Sequence, residues 1–147
     1  MKKLFFLLSI VSFSFFVACD KDDDDHDHDN TTEFAYHAHI MSPDSTDKHL
    51  NDTIHLHINF EDHDGNTLHN VNVRIFNQAD NTEVYNAPAD SHIHEMSGSY
   101  EWHDDVILSE ANGFSAHSDW TLEAKVWGME DGASEVIESV DFHVHPE

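Results

Sequence analysis

The chain has a single cysteine and few basic residues, and each shortage excludes a class of function. Cys19 is the only cysteine among 147 residues, so no disulfide can close within the chain and no site of several thiolates can form. Lys and Arg together number 6 against 30 Asp and Glu, which gives a formal net charge of −24. Because phosphate groups and anionic lipid headgroups attract the opposite sign, we expect no nucleic-acid partner and no electrostatic contact with a membrane surface.

The chain also lacks the local motifs of common enzymes. It contains no nucleophile elbow and no His-Glu-x-x-His segment, and Ser97-Gly98-Ser99 is typical of a turn. Apart from Cys19, no cysteine is available to pair with a catalytic histidine. We therefore predict that the protein is not an enzyme.

The one long apolar run lies at the N-terminus and is typical of an export signal. It covers fourteen residues from Leu4 to Val17, which is short for a membrane span, and it follows two lysines. The end of this run and the two residues after it form Phe16-Val17-Ala18-Cys19, which resembles the lipobox of bacterial lipoproteins. This resemblance implies a lipoprotein signal peptide over residues 1–18 and lipidation of Cys19.

The segment after Cys19 is strongly acidic and poor in apolar residues. Residues 20–30 contain seven Asp with His26 and His28, so we predict that residues 19–32 form a lipidated, disordered tether. The run resembles the acidic export signal of Bacteroidetes surface lipoproteins. That resemblance implies a surface-exposed outer-membrane protein, held to the membrane by its lipid anchor only. Asp directly after the cysteine also resembles an inner-membrane retention signal, which leaves the periplasmic face of the inner membrane as an alternative.

From residue 33 onward, apolar and polar residues alternate with a period of two. This pattern is typical of strands with one buried face, and it is clearest in five segments, 34–41, 54–60, 71–75, 120–126 and 140–145. Turn signals such as Asp64-Gly65-Asn66 and Ser97-Gly98 separate the segments. We predict an all-β fold, a single antiparallel immunoglobulin-like β-sandwich of about seven strands over residues 33–147.

The order of several short motifs resembles YtkA-like domains, which are small envelope sandwiches. The likeness covers about residues 52–145, and it consists of Asp64-Gly65-Asn66, Val71-Asn72-Val73, Pro88, His92-Ile93-His94, Met96, Gly98-Ser99-Tyr100 and Trp120-Thr121-Leu122. Domains of this family are often associated with copper handling, so the resemblance implies a role in metal binding at the envelope.

Histidine is abundant and regularly spaced. Ten of the 15 histidines form five His-x-His pairs, where random placement predicts about one or two. In a strand, residues two apart point to the same side, and here the large aliphatic residues take the opposite parity. Each pair on a strand is therefore predicted to face outward as two adjacent imidazoles. Imidazole and carboxylate without thiolate favour Zn(II), with Cu(II) or Ni(II) as alternatives.

Three groups of residues are candidate metal ligands. The first choice is a square of four imidazoles on the first two alternating segments, with His37 opposite His57 and His39 opposite His55. A second choice places His143 and His145, with Asp141, beside the first strand. A third is the His92 and His94 pair on a predicted loop. The remaining histidines of the domain are predicted to be surface or turn residues: His49, His63, His69, His103 and His117.

The favoured hypothesis is a lipid-anchored envelope protein that binds a divalent transition metal for buffering, scavenging or delivery. Its partner would be an envelope metal transporter or another surface protein. Flat open patches offer no supporting groups behind the ligands, so we expect modest affinity. The alternative is a non-enzymatic surface interaction module that recognises a protein or glycan, with incidental histidines. Clustered imidazoles are also compatible with a pH sensor.

Overall fold

All regular structure in the described residues is β-strand, apart from one short 3₁₀ turn. The computed structural model describes residues 35–130 and 134–147. The elements are β1 (Tyr36–Ser42), β2 (Lys48–His49), β3 (Thr53–Asp62), β4 (Leu68–Asn77), β5 (Glu83–Ala87), β6 (His92–Glu95), β7 (Ser99–Ile107), the 3₁₀ turn (Glu110–Asn112), β8 (Ser118–Trp127) and β9 (Val136–His145). Within these ranges no helix is long and apolar enough to cross a membrane.

Several sequence predictions concern residues outside the described ranges. They are the signal peptide over residues 1–18, the lipidated Cys19, the tether over residues 19–32 and the His26 and His28 pair. They stay predictions.

The strands form two sheets with an immunoglobulin-like order. In the first sheet β3 lies between β1 and β7, and both pairings are antiparallel. The second sheet has the order β2-β9-β8-β4-β5, and β6 also pairs with β4. Strands β1, β3 and β7 thus correspond to A, B and E of an immunoglobulin sandwich, and β4, β8 and β9 to C, F and G. The predicted all-β sandwich is confirmed.

The core lies between the two sheets and is built from one side of each strand. Tyr36 and Ala38 of β1 face it, as do alternate residues of β3, whereas His37 and His39 point away. Phe114, just after the 3₁₀ turn, packs on Trp120 with ring centroids 4.6 Å apart. The buried cluster consists of Tyr36, Ala38, Ile54, Leu56, Ile58, Phe60, Leu68, Val71, Val73, Ile75, Val106, Leu108, Phe114, Trp120, Leu122, Ala124, Val126, Phe142 and Val144.

Two short strands distinguish the fold from the predicted one. The two-residue β2 runs parallel to β9 and pairs His49 with His145. The four-residue β6 pairs with the start of β4, Asn70 opposite His92 and Leu68 opposite Glu95. His92 and His94 therefore lie on a strand and not on a loop, which corrects the prediction. Such short elements leave too few residues for an alternating pattern to be visible in the sequence.

Candidate metal centres

The predicted square of four histidines does not form, because the register of β1 on β3 differs from the predicted one. The two strands do pair antiparallel, but His37 lies opposite Glu61 and His39 opposite Asn59. The chain leaves the first sheet after β1 to form β2 in the second sheet. When it returns, β3 begins beyond the end of β1, with Ser42 opposite His57. The pairing is shifted by four residues, which keeps all four histidines on the outer face.

The β1–β3 cluster consists of His37, His39, His63 and Glu61. Candidate ligand atoms of the three histidines all lie within 4.8 Å of one another. His39 Nε2 and His63 Nε2 both donate to Glu61 Oε1, at 3.0 and 3.1 Å. These hydrogen bonds, that from His63 first, hold the pKa of Glu61 below its ordinary value. The carboxylate is thus ionised and available as an oxygen ligand beside three imidazoles.

A tight turn after β3 brings His63 into this cluster. Asp62 is 5% exposed, and its carboxylate accepts hydrogen bonds from the backbone N–H groups of Ala35, Asp64 and Asn66 at 3.0, 2.9 and 3.2 Å. Gly65 takes a left-handed conformation with φ of +72° and donates its N–H to the Asp62 carbonyl. The turn folds the chain back, so that the His63 ring stacks on His37 with centroids 3.9 Å apart.

The β3–β7 cluster consists of His55, His57, Glu101, His103 and Asp105. His57 lies directly opposite His103, and His55 opposite Asp105, so the register of central strand β3 on edge strand β7 builds the group. Candidate ligand atoms of His57, Glu101 and His103 lie within 4.8 Å of one another. His55 donates from Nδ1 to Asp105, which leaves its Nε2 available.

The β9 cluster consists of His49, His117, His143 and His145, with Asp47 and Asp119. Candidate ligand atoms of His117, His143 and His145 lie within 4.8 Å of one another. His49 follows Asp47 into β2, and its ring centroid lies 5.7 Å from that of His145. His143 Nδ1 donates to Asp119 Oδ1 at 2.7 Å, and His145 Nε2 donates to Asp47 Oδ2 at 3.1 Å.

The β4–β6 cluster consists of His69, His92 and His94. Their ring centroids are 5.4 to 6.5 Å apart. His69 is 8% exposed, whereas the two β6 histidines are exposed. Burial lowers the pKa of His69, and the neighbouring His94 and His92 lower it further. A neutral imidazole is the form that binds a metal ion.

The pair of His143 and His145 does not lie beside the pair of His37 and His39, as one prediction required. His143 and His145 lie on the outer face of the second sheet, while His37 and His39 lie on the outer face of the first. The strand beside β9 at the sheet edge is β2, not β1. Asp141 does share a face with His143, but its Oδ1 accepts a hydrogen bond from Thr121 Oγ1 at 2.6 Å.

The single histidines are the residues that sequence reasoning missed. We predicted them as surface or turn residues, yet each lies beside a His-x-His pair: His63, His103, His117, His69 and His49. Every histidine of the described residues therefore belongs to one of the four clusters. Carboxylates also support the imidazoles, so the expectation of unsupported rings was wrong. This support could have been inferred from an acidic residue that lies two positions from a histidine or on a neighbouring strand. Glu61 and Asp119 are examples.

Comparisons with known proteins yield distant likenesses in structure alone. No family model matches the chain, and no curated protein matches it. The crystal structure of the CARDB domain of the PF1109 protein from Pyrococcus furiosus, in complex with di-metal ions, is 12% identical, with a TM-score of 0.47 over 78% of this chain and 96% of that chain. The solution structure of the same domain is 14% identical, with a TM-score of 0.49 over 76% and 95%. The resemblance to YtkA-like domains stays a prediction.

Proposed function

We propose that the protein binds several divalent transition-metal ions on its surface and serves as a metal buffer or scavenger. The observation that carries the proposal is the clustering of the histidines, which brings three imidazoles together in the β1–β3, β9 and β4–β6 clusters and two imidazoles together with Glu101 in the β3–β7 cluster. In three of these places the candidate ligand atoms lie within 4.8 Å of one another. An ion bound there would draw such a group together, since Zn–N distances are about 2.0–2.1 Å.

The donor set favours Zn(II), with Cu(II) and Ni(II) as alternatives. Three imidazoles with a carboxylate or a water molecule complete the tetrahedral shell that Zn(II) prefers. Imidazole also binds Cu(II) and Ni(II), whereas Ca(II) and Mg(II) favour shells of oxygen ligands. The excess of Asp and Glu over Lys and Arg, 30 to 6, would raise the local concentration of any cation.

Several separate sites fit storage or transfer better than catalysis. The clusters lie on the outer faces and edges of the sheets, where water is not excluded from a bound ion. We therefore favour a non-catalytic role. We further propose that a lipid on Cys19 holds the protein in the bacterial envelope, at the surface of the outer membrane. An envelope metal transporter is the partner that would receive the ions.

A calorimetric titration of the untagged protein with Zn(II) at neutral pH tests the proposal. We expect saturable binding of more than one ion, which weakens as acidification protonates the imidazoles. Mg(II) is the matched control, because an acidic surface alone would attract both cations, whereas imidazole favours Zn(II). Weak, non-saturating uptake of Zn(II), equal to that of Mg(II), would contradict the proposal and favour an interaction module with incidental histidines.

A further inference from the structure

The four clusters differ in how closely their side chains approach the geometry of a metal centre. We infer that the β9 cluster is the site of highest affinity, that His49 joins His117, His143 and His145 as a ligand, and that Asp119 and Asp47 position two of these rings. The inference rests on the proposed function, which it deepens by ranking the sites and naming supporting residues.

Ring geometry is the first argument. Two imidazoles on one tetrahedral Zn(II) have centroids about 5 Å apart and are inclined to each other, given Zn–N distances of about 2.0–2.1 Å. In the β9 cluster the centroids of His143 and His145 are 4.6 Å apart with planes at 62°. Those of His49 and His145 are 5.7 Å apart with planes at 36°. The rings of His143 and His145 therefore need only small rotations to share an ion. The rings of His69 and His94 in the β4–β6 cluster are similarly inclined, with centroids 5.4 Å apart and planes at 57°, but three ligand atoms come within 4.8 Å of one another in the β9 cluster and not there.

The clusters on the first sheet need larger rearrangements. His37 and His63 stack at 3.9 Å with planes at 19°, and His57 and His103 stack at 4.3 Å with planes at 26°. The lone pair of an imidazole nitrogen lies in the ring plane, so stacked rings direct their lone pairs side by side and not toward one point. Binding there requires at least one ring of each stack to turn.

Hydrogen bonds to carboxylates are the second argument. Asp119 accepts from Nδ1 of His143 and Asp47 accepts from Nε2 of His145, so each ring keeps its other nitrogen available. A carboxylate behind a histidine fixes its tautomer and orientation and makes it a stronger ligand. In the β1–β3 cluster, by contrast, the single carboxylate of Glu61 accepts from both His39 and His63.

The backbone around the β9 cluster is the third argument. His117 has a left-handed φ of +57°, and its N–H donates to the Val144 carbonyl at 2.7 Å. Parallel pairing of β2 with β9 holds His49 beside His145, and the Leu50 N–H donates to the His145 carbonyl at 2.9 Å. Non-glycine residues take this conformation rarely, and His94 of the β4–β6 cluster shares it, with φ of +48°. Ligands from three segments are thus fixed by main-chain bonds.

The positioning role of Asp119 is tested by Zn(II) titration of Asp119→Asn, with Asp141→Asn as its matched control. Both variants remove one exposed carboxylate from the same face of β8 and β9, but only Asp119 contacts an imidazole. We expect Asp119→Asn to weaken the tightest Zn(II) binding about 10–100-fold. Asp141→Asn should change it at most about fivefold, through the lost charge alone. Equal effects of the two variants would overturn the positioning role.

The ranking of sites and the role of His49 are tested by three further variants. His143→Gln should abolish the tightest binding phase, while His39→Gln in the β1–β3 cluster should retain it; the reverse result would overturn the ranking. His49→Gln should weaken the tetrahedral absorption bands of Co(II) bound in place of Zn(II), and an unchanged spectrum would remove His49 from the ligand set. If the unaltered protein binds no Zn(II), the proposed function itself fails.

Discussion

At the scale of single residues, Asp62 connects the stability of the fold to the position of a candidate ligand. Its buried carboxylate accepts three backbone N–H groups and the side-chain amide of Asn66 at 3.2 Å. The turn that these bonds hold begins with His63. Loss of the carboxylate should therefore affect both the free energy of unfolding and metal binding at the β1–β3 cluster.

Replacement of Asp62 by Asn tests this connection. The amide lacks the negative charge and has one acceptor oxygen, so the bond to Ala35 N–H is lost and the others weaken. We expect the free energy of unfolding to fall by about 1.5–3 kcal/mol, as measured by urea denaturation. Asp64→Asn is the control, because its side chain is exposed in the same turn. A similar loss in both variants would contradict this role of Asp62.

Tyr36 should make the fold less stable at alkaline pH. Burial, and then the charge of Asp62, raise the pKa of Tyr36 above its ordinary value, to about 12. The folded state therefore favours the neutral phenol. The contribution of this neutral phenol to the stability of the fold is complete below pH about 10. It is lost as the pH rises toward 12, because the phenol ionises first in the unfolded chain. Denaturation series should show stability falling across this window, with a smaller fall in Tyr36→Phe; equal falls would contradict the assignment.

At the scale of elements, two turns on the first sheet pack backbone against backbone. Gly98 precedes β7 with φ of +75°, and a Cβ there would lie 2.8 Å from Gly65 Cα. Gly65 also has a positive φ, +72°, but a Cβ on it would meet nothing within 4 Å. The close approach lets the Gly98 carbonyl accept the Asp62 N–H at 2.9 Å.

Replacement of either glycine by alanine should lower the free energy of unfolding, but by different amounts. Gly65→Ala should lower the free energy of unfolding by about 1–2 kcal/mol, the cost of a left-handed conformation. Gly98→Ala carries that cost and a steric overlap with Gly65, which should add about 1–3 kcal/mol. Thermal denaturation of both variants measures the difference. A Gly98→Ala variant as stable as Gly65→Ala would show that the turns separate easily.

Strands could be predicted from the sequence, but their register could not. Alternation at Ile54, Leu56 and Ile58 indicates which face is buried, and the outward direction of the histidines was predicted correctly. A shift of the pairing by four residues leaves every side chain on the same face. Alternation is therefore equally compatible with His37 opposite His57 and with His37 opposite Glu61. The path of the chain through β2 in the second sheet, before it returns as β3, decides between these two registers.

The completed clusters depend on contacts between residues distant in sequence. His103 meets His57 because β7 pairs with β3, and His49 meets His145 because β2 reaches across to β9. No local pattern encodes such pairings. The His-x-His spacing indicated the surface pairs. The fold added one histidine to each of three pairs and two, His49 and His117, to the pair of His143 and His145.

At the scale of the whole molecule, bound ions should stabilise the fold. An ion at the β9 cluster would link β2, the start of β8 and β9, so it would bind the folded chain more tightly than the unfolded chain. At a free Zn(II) concentration 100 times the dissociation constant, the expected stabilisation is about 2.7 kcal/mol. Zn(II) should raise the melting temperature of the protein, and a chelator should reverse the rise.

The triple variant His117→Gln/His143→Gln/His145→Gln is the control for this stabilisation. It keeps the core intact, because these side chains lie on the outer face. Its melting temperature should respond to Zn(II) much less than that of the unaltered protein. An equal rise in both proteins would mean that ions at other clusters stabilise the fold.

The most direct test of metal binding by the histidine clusters is a crystal structure with Zn(II), with diffraction data collected above and below the zinc absorption edge. We predict anomalous density between the imidazoles of the β9 cluster, within about 2.0–2.1 Å of their nitrogens, and further peaks at the other clusters. Zinc sites confined to carboxylates, with no anomalous density beside any histidine cluster, would contradict the account.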